Sequence, residues 1–328
     1  MFARARFSFS RAIRKMESGT TSATGKVVVL LSTYNGSRFF RQQLDSLYRQ
    51  SCRNVEILVR DDGSTDATPR ILEEEAMLGR LRVLQGGNNM GAALSFLELL
   101  GNAVSGDAGY FAFCDQDDVW EPGKLAAAIA RLDEVDLGCP AIYCSRAEVV
   151  DEDLKFVGYS GSPSRIGFGN ALVENIVIGC TAVLNRAAAN LICRAFPRRV
   201  IMHDWWFYLV ISAFGVVIFD DYVSLKYRQH GRNAIGAGTE RFDRLSKGWN
   251  RFFGHGGGRN WISDQALVFE ETYKDAAIPP SCANLLNRLI EAKSSLYRRA
   301  SLALSGEIWR QKKLQDIALR LLILLNRF

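Results

Sequence analysis

Paired cysteines are missing from this 328-residue sequence: its seven cysteines are an odd number, and no two stand as Cys-x-x-Cys. That pattern argues against a disulfide framework or a zinc site and for reduced core thiols in a cytosolic protein. Histidine is scarce, with three in all. The longest uncharged apolar run, Trp205 to Phe219, has fifteen residues and is interrupted by Ser212 and Gly215, whereas a spanning helix needs about 20. No transmembrane helix is expected. The first 25 residues carry Arg4, Arg6, Arg11, Arg14 and Lys15 but no apolar core, so they read as a disordered basic extension rather than a secretory signal. Neither Gly-x-Gly-x-x-Gly nor a Gly-x-x-x-x-Gly-Lys-Ser/Thr loop occurs, which sets aside dinucleotide enzymes and P-loop NTPases.

What remains is the composition of a globular enzyme, with 48% hydrophobic and 23% charged residues. The net charge of +6 is modest but uneven: from Arg288 onward there are nine Lys/Arg against three acids. Nucleic acid is not an expected partner.

The chain opens with repeated strand, loop and helix units. Lys26 to Thr33 reads as a buried strand, closed by Tyr34-Asn35-Gly36 and followed by a helix with Phe40, Leu44, Leu47 and Tyr48 on one face and Ser37 as its cap. Val55 to Val59 is a second strand, turned by Asp61-Asp62-Gly63-Ser64-Thr65-Asp66 into a helix that starts at Thr68-Pro69. Leu81 to Gln85 is a third, and Gly86 to Gly91 leads into the helix Ala92 to Leu100. Tyr110 to Cys114 is the fourth, followed by a helix from Lys124 to Val135. Such alternation predicts an α/β fold with a doubly wound, mostly parallel sheet. Strands at 141–150, 216–220 and 223–228, a short strand within 179–186, and helices at 187–196 and from His203 onward follow. Beyond about Gly238 the chain turns helical and basic, with a glycine-rich break at 254–258. The expected organisation is residues 26–238 as one domain (26–136 binding nucleotide, 137–238 facing the acceptor) and a helical region at 239–328.

Ligands of such sheets bind outside the carboxyl ends of the strands. There Thr33-Tyr34-Asn35, Asp61-Asp62 and Asp115-Gln116-Asp117 should converge. Carboxylates crowded at the end of a buried strand raise one another's pKa unless a cation neutralises them, and Asp115, Asp117 and Asp118 suit Mg²⁺ or Mn²⁺. Asp204, near a helix start and beside Trp205 and Trp206, is either a helix cap or a partly desolvated base.

With these residues in view, the sequence resembles the inverting family 2 glycosyltransferases of the GT-A fold, in particular their rhamnosyltransferase-like branch. The likeness runs from about Lys26 to Gly236 and rests on Ser32-Thr-Tyr-Asn-Gly36, Arg60-Asp-Asp-Gly-Ser-Thr-Asp66, Asn88-Asn-Met-Gly91, Cys114-Asp-Gln-Asp-Asp-Val-Trp120, His203-Asp-Trp-Trp206 and Tyr227-Arg-Gln-His230. The resemblance implies that Thr33, Tyr34, Asn35, Asp61, Asp62 and Gly91 bind the nucleotide sugar. It further implies that Asp115 and Asp117 bind ribose and the metal-bridged diphosphate, and that Asp204 is the catalytic base. His230 either completes the metal shell, touches a phosphate beside Arg228, or is structural. Trp205, Trp206 and Arg228 are candidate sugar or acceptor contacts, the tryptophans being equally candidates for the core.

The implied activity is transfer of a sugar, first of all L-rhamnose from dTDP-L-rhamnose, to a saccharide or lipid-linked saccharide during cell-surface polysaccharide synthesis. Two rivals are a nucleotidyltransferase, which would need a glycine-rich basic loop after the first strand, and a non-catalytic carbohydrate-binding or membrane-surface adaptor. The C-terminal run Leu314 to Arg327 either lies on an anionic bilayer, making the enzyme peripheral at the inner face of the cell membrane, or packs on the catalytic domain or a second subunit of a homo-oligomer.

Overall fold

The computed structural model describes residues 25–84, 88–197, 200–230 and 261–328. The basic N-terminal extension and the glycine-rich break expected at 254–258 lie outside them. The first strand, β1 (Val27–Thr33), explains the organisation of everything else. Its apolar residues alternate between the two faces of the sheet. Val28 and Leu30 join one core, while Val27, Val29 and Leu31 join the other. A strand buried on both faces reads as an unbroken apolar run, which is why it was legible in the sequence.

Around it stand β2 (Val55–Asp61), β3 (Arg82–Val83) and β4 (Tyr110–Cys114), all parallel, in the order β3-β2-β1-β4. The sheet continues through β8 (Val183–Asn185), β6 (Ala141–Val150), β9 (Val216–Arg228) and β5 (Val119–Trp120), with β7 (Phe156–Tyr159) on β6. The pair β6 and β9 is parallel, whereas β8 is antiparallel to both its neighbours. Where the sequence suggested two strands at 216–220 and 223–228, the structure has one. Its register against β6 jumps between Ser145–Asp220 and Arg146–Val223, so a bulge replaces the expected break.

Four helices follow the first strands: α1 (Ser37–Tyr48), α2 (Thr68–Met77), α3 (Ala92–Ala103) and α4 (Lys124–Leu132). The expected face of α1 is buried at Phe40, Leu44 and Leu47, while Tyr48 is exposed at the surface and donates its hydroxyl proton to Glu75 at 2.8 Å. Ser37 does not cap this helix. Gly36 holds the cap position, and the next loop satisfies the free N–H groups: Ser37 N–H donates to Asp66 at 3.0 Å and Gly36 N–H to Thr68 Oγ1 at 3.0 Å.

Three more helices, α5 (Phe168–Ala171), α6 (Arg186–Cys193) and α7 (His203–Phe214), flank the second half of the sheet. The C-terminal helices α8 (Trp261–Tyr273), α9 (Pro280–Glu291), α10 (Leu296–Leu304) and α11 (Lys313–Leu324) complete the core on that side. Phe207 and Leu209 of α7 share one apolar cluster with Phe269, Leu289, Leu302, Leu319, Ile323 and Phe328. One side of the C-terminal amphipathic run, Leu319 and Ile323, is thereby core. No helix among the described residues is long and apolar enough to cross a membrane.

Candidate active site

Because β1, β2 and β4 are parallel, their carboxyl ends face one edge, and three loops meet there. Thr33 is opposite Asp61 in the β1–β2 register, and Leu31 is opposite Cys114 in β1–β4. Gln116, between the two aspartates of the β4 loop, ties that loop to the first. Its Oε1 accepts from Thr33 Oγ1 at 2.7 Å and from Tyr34 N–H at 2.8 Å, and its Nε2 donates to Tyr34 O at 3.1 Å. Asn35, held at φ +49°, links the first loop to the second, accepting from Thr65 N–H at 2.8 Å and donating its own N–H to Ser64 Oγ at 2.8 Å.

Gly36 is required for this arrangement. A Cβ there would stand 2.2 Å from Gln116 Oε1 and 2.6 Å from its Cδ. Gly36→Ala is expected to push Gln116 aside and break its bonds to Thr33 and Tyr34. At about 1–3 kcal/mol for the disturbed bonds, the donor KM should rise by about tenfold with little change in kcat. Steady-state kinetics of donor turnover check this, and an unchanged KM would remove Gln116 from the account.

The two aspartates of the second loop have different partners. Asp61 accepts from Ser64 N–H at 3.0 Å and from its hydroxyl at 2.5 Å. Asp62 is buried and accepts from Arg60 at 2.5 Å, Met90 N–H at 2.9 Å and Gly91 N–H at 2.8 Å. It thus pins the loop that starts α3, where Gly91 adopts φ +81°. Tyr34 stands half-exposed over the rim.

At the end of β4 the carboxylates are dense. Asp115 is packed about by protein at the floor of the cleft, and burial, then the charges of Asp117 and Asp204, push its pKa up to about 7. Asp118 is fully buried and is pushed well above the carboxylate range by burial and by its two neighbours. Asp117 faces His230, whose Nε2 lies 2.7 Å from its Oδ2. Asp117 and His230 offer an oxygen and an imidazole to an ion such as Mn²⁺, with Asp115 a second carboxylate on the same loop; the three expected metal ligands do not, however, bring their ligand atoms within 4.8 Å of one another, and the mutual repulsion of the carboxylates is the physical reason a cation would draw them together.

Asp204 lies in the first turn of α7 and is buried. Its Oδ1 accepts from Trp205 N–H at 2.7 Å and its Oδ2 from Gly179 N–H at 3.1 Å, and the Asn175 side chain bonds it as well. Burial raises its pKa to about 6 against these hydrogen bonds, which lower it. The charge of Asp204 in turn acts on Asp115, and the Gly179–Thr181 turn lies between them, with Gly179 N–H bonded to Asp204 and the Cys180 sulfur within 4.8 Å of an Asp115 oxygen. A carboxylate that titrates near 6 is suited to taking a proton at neutral pH. Its neighbour His203 is buried against Phe96, Phe113 and Phe207 and is held neutral, with its pKa lowered to about 3 by burial.

Three candidate contacts need correction. Trp206 is 1% exposed and packs against Phe269 and Tyr273, so it belongs to the core and not to the acceptor surface. Trp205 is largely buried too, donating its indole N–H to Ala171 O at 2.7 Å and packing edge-on against Trp261. Arg228 is turned inward: it donates to Asp117 O at 2.7 Å, to Gln42 at 2.5 Å and to Glu152 O, over the ring of Phe39. It braces the metal-side loop rather than presenting itself to a sugar. Conversely, the sequence reading passed over Gln116, Asn175, Gly179 and Cys180. Gln116 occupied the unassigned middle of an Asp-x-Asp, Asn175 lies in a stretch of mixed pattern, and Gly179 and Cys180 were read into the short strand at 179–186, whereas they form a tight turn before β8, so only their tertiary neighbours mark them.

Comparison with known proteins agrees with this geometry. Residues 28–191 match the family described as Glycosyl transferase family 2. The chain is 27% identical over 327 residues to the dTDP-rhamnosyl transferase RfbG of Shigella flexneri, covering 91% of this chain and 100% of that protein. It is 26% identical to the UDP-Glc:alpha-D-GlcNAc-diphosphoundecaprenol beta-1,3-glucosyltransferase WfgD of Escherichia coli, over 68% of this chain and 84% of that one. Among solved structures, S. aureus TarS 1-349 in complex with UDP-GlcNAc superposes with a TM-score of 0.55 at 16% identity, covering 91% of this chain and 81% of that one. The mannosyltransferase PcManGT of Pyrobaculum calidifontis, in complex with GDP-Man and Mn2+, does so with a TM-score of 0.50 at 18% identity, covering 90% and 78%. The motifs at the strand ends, the α/β fold with its C-terminal helices, and a family match spanning β1 to α6 make this chain a glycosyltransferase of family 2.

Proposed function

We propose that the chain moves a sugar, L-rhamnose from dTDP-L-rhamnose before others, onto a saccharide or lipid-linked saccharide acceptor with inversion at the anomeric carbon. The observation that carries this reading is the Gly179–Thr181 turn that joins the two carboxylates: Gly179 N–H bonds Asp204, the base, while the Cys180 sulfur lies within 4.8 Å of an oxygen of Asp115, which would meet the diphosphate. The rhamnosyl donor is supported by the full-length likeness to RfbG, and the lipid-linked acceptor by the name of WfgD. A sugar on a lipid diphosphate as acceptor in the name of WfgD supports a place in saccharide assembly on a carrier.

In this mechanism the Asp204 carboxylate, oriented by the N–H groups of Trp205 and Gly179, accepts the proton of the acceptor hydroxyl. The freed oxygen attacks the anomeric carbon from the side opposite the diphosphate. As the new C–O bond forms, the bond to the diphosphate oxygen breaks and its electron pair leaves with the nucleoside diphosphate. A divalent cation held by Asp115, Asp117 and His230 would supply the positive charge that the departing diphosphate needs. The hydrogen bonds of Asp62 with Met90 and Gly91 N–H, and of Arg60 with Asn88 O, hold the Asn88–Gly91 loop beside the nucleoside-binding rim.

A pH dependence follows. Asp204 works only when ionised, so kcat/KM should be flat above about pH 6 and fall about tenfold per unit below it. The profile of transfer against pH checks this. A rate that keeps its value down to pH 4.5 would mean that some other group takes the proton.

The acceptor reading extends to the surface. Leu314, Ile317, Leu321 and Leu325 recur along one stripe of α11 and its end, and all are exposed, from 55% to 82%. Lys312, Lys313 and Arg327 are exposed beside them. An apolar stripe flanked by cations suits an anionic bilayer, and a transferase working on a lipid-linked acceptor in the cytoplasm would meet it there. Full-length protein is expected to co-sediment with vesicles containing anionic lipid at low salt, and Ile317→Ser/Leu321→Ser to lose most of that binding. Truncation is the wrong test, since it would remove the buried Ile308, Leu319, Ile323 and Phe328. A dimer that the same double substitution dissociates, with no vesicle binding, would assign the stripe to a second copy.

A further inference from the structure

Beside the donor-side carboxylates lies a second ligand set, which shares Asp115 with them and adds two groups that glycosyl transfer does not use. The carboxylates of Asp115 and Asp118 and the thiol of Cys180 bring potential ligand atoms within 4.8 Å of one another, the one such group of three among the described residues. Cys180 is the middle residue of the tight turn Gly179–Thr181. That turn is fixed on both sides: Thr181 donates both N–H and hydroxyl to Ile178 O at 2.8 Å, and Gly179 N–H donates to Asp204. A Cβ on Gly179 would stand 2.8 Å from His203 Nε2, so the turn is also packed from behind.

Asp118 supplies the independent sign of a ligand. It is 0% exposed, its Oδ1 accepts Arg228 N–H at 3.1 Å, and its Oδ2 meets no donor in good hydrogen-bonding geometry, with the Cys180 thiol beside the carboxyl group. Leaving a buried carboxylate oxygen without a donor is costly. Lys124, also fully buried, does not supply one: its Nζ likewise lacks a hydrogen-bond partner and sits 4.3 Å from the centre of the Trp120 ring.

Two carboxylate oxygens and one sulfur are a poor set for Mg²⁺, which takes oxygen, and a good one for ions that accept thiolate. Zinc bonds of about 2.3 Å to sulfur and about 2.1 Å to oxygen put tetrahedral ligands about 3.5 Å apart, so small side-chain rotations close the set and leave a fourth position for water. We propose that Asp115, Asp118 and Cys180 form a binding site for Zn²⁺ or a similar thiophilic divalent ion, separate from the Asp117–His230 pair, and that its occupation inhibits the enzyme. As the ion enters, the thiol proton leaves to solvent and the sulfur binds as thiolate. Inhibition follows because Asp115 is withdrawn from the donor, and only this consequence rests on the function proposed above.

The test uses Co²⁺, whose thiolate complexes absorb in the near ultraviolet by sulfur-to-metal charge transfer. Full-length protein should develop that band with stoichiometric Co²⁺, equimolar Zn²⁺ should abolish it, and excess Mg²⁺ should leave it intact. Cys180→Ser should lose the band, whereas Cys52→Ser should keep it, and Zn²⁺ should inhibit donor turnover at least tenfold less in Cys180→Ser than in wild type. Absence of the band in wild-type protein, its survival in Cys180→Ser, or its loss to Mg²⁺ as readily as to Zn²⁺ would overturn the proposal. The wild-type Mg²⁺ and Zn²⁺ arms decide it even if Cys180→Ser does not fold. Because the band is read without any donor, it can persist in a protein that transfers no sugar, so the two proposals fail separately.

Discussion

Asp204→Asn is expected to lower glycosyl transfer by about 10²–10⁴-fold, the usual contribution of a general base, while donor affinity stays within about twofold of wild type. Asparagine keeps the shape and one acceptor for the Trp205 and Gly179 N–H groups but cannot take a proton. The same substitution should affect stability in a pH-dependent way. Burial raises the carboxyl of Asp204 from 3.8 to about 6, so the folded protein holds this proton more tightly than the unfolded chain does. Above about pH 6 the ionised, buried group therefore weakens the fold, by roughly 3 kcal/mol for a shift of about two pH units, and this cost vanishes as pH falls toward 4. Asparagine removes it, less what is lost because its amide cannot accept both backbone hydrogen bonds. The melting temperature of Asp204→Asn should exceed that of wild type at pH 8 and converge with it near pH 4. Unimpaired transfer, or a melting temperature well below wild type at pH 8, would make Asp204 a helix cap and nothing more.

Asp117→Ala should abolish the gain in nucleoside diphosphate affinity that Mn²⁺ or Mg²⁺ confers. The loss in metal affinity should exceed about 10²-fold, since removing even an outer partner of a metal ligand costs 10–100-fold. The substitution also strips His230 of the carboxylate 2.7 Å from its Nε2, so both halves of the pair are affected. Calorimetric titration of the wild type and the variant with nucleoside diphosphate, each with and without Mn²⁺, measures it. A variant that still binds more tightly with metal than without would leave Asp117 as a surface-turn residue and transfer the metal to other ligands.

The first half of the fold was legible because its signals are local. β1, β2 and β4 are apolar runs buried on both faces, and each ends at a polar turn that belongs to the same few residues. That alone placed Thr33, Asp61 and Asp115 on one edge. β5 was not legible, since Val119–Trp120 becomes a strand only through Leu225 and Lys226, more than 100 residues away. Trp205 and Trp206 differ by one helix position, about 100° around the axis, and no local pattern says that both adjacent indoles pack on one helix more than 50 residues away. Arg228 was a candidate sugar or acceptor contact, but its donors go to Asp117, Gln42 and Glu152, partners 76 to 186 residues away that no local pattern announces. The bonds of Asp204 to Gly179 and Asn175 bridge 25 and 29 residues of chain and had no local signature at all.

The central claim is that the bond broken lies between the sugar carbon and the diphosphate, and product analysis tests it most directly. Incubated with dTDP-L-rhamnose or another accepted nucleotide sugar, Mn²⁺ and a saccharide acceptor, the protein should release nucleoside diphosphate, seen by phosphorus NMR, together with a glycoside of inverted anomeric configuration. Release of pyrophosphate from a nucleoside triphosphate and a sugar phosphate, with no nucleoside diphosphate from any nucleotide sugar, would contradict it.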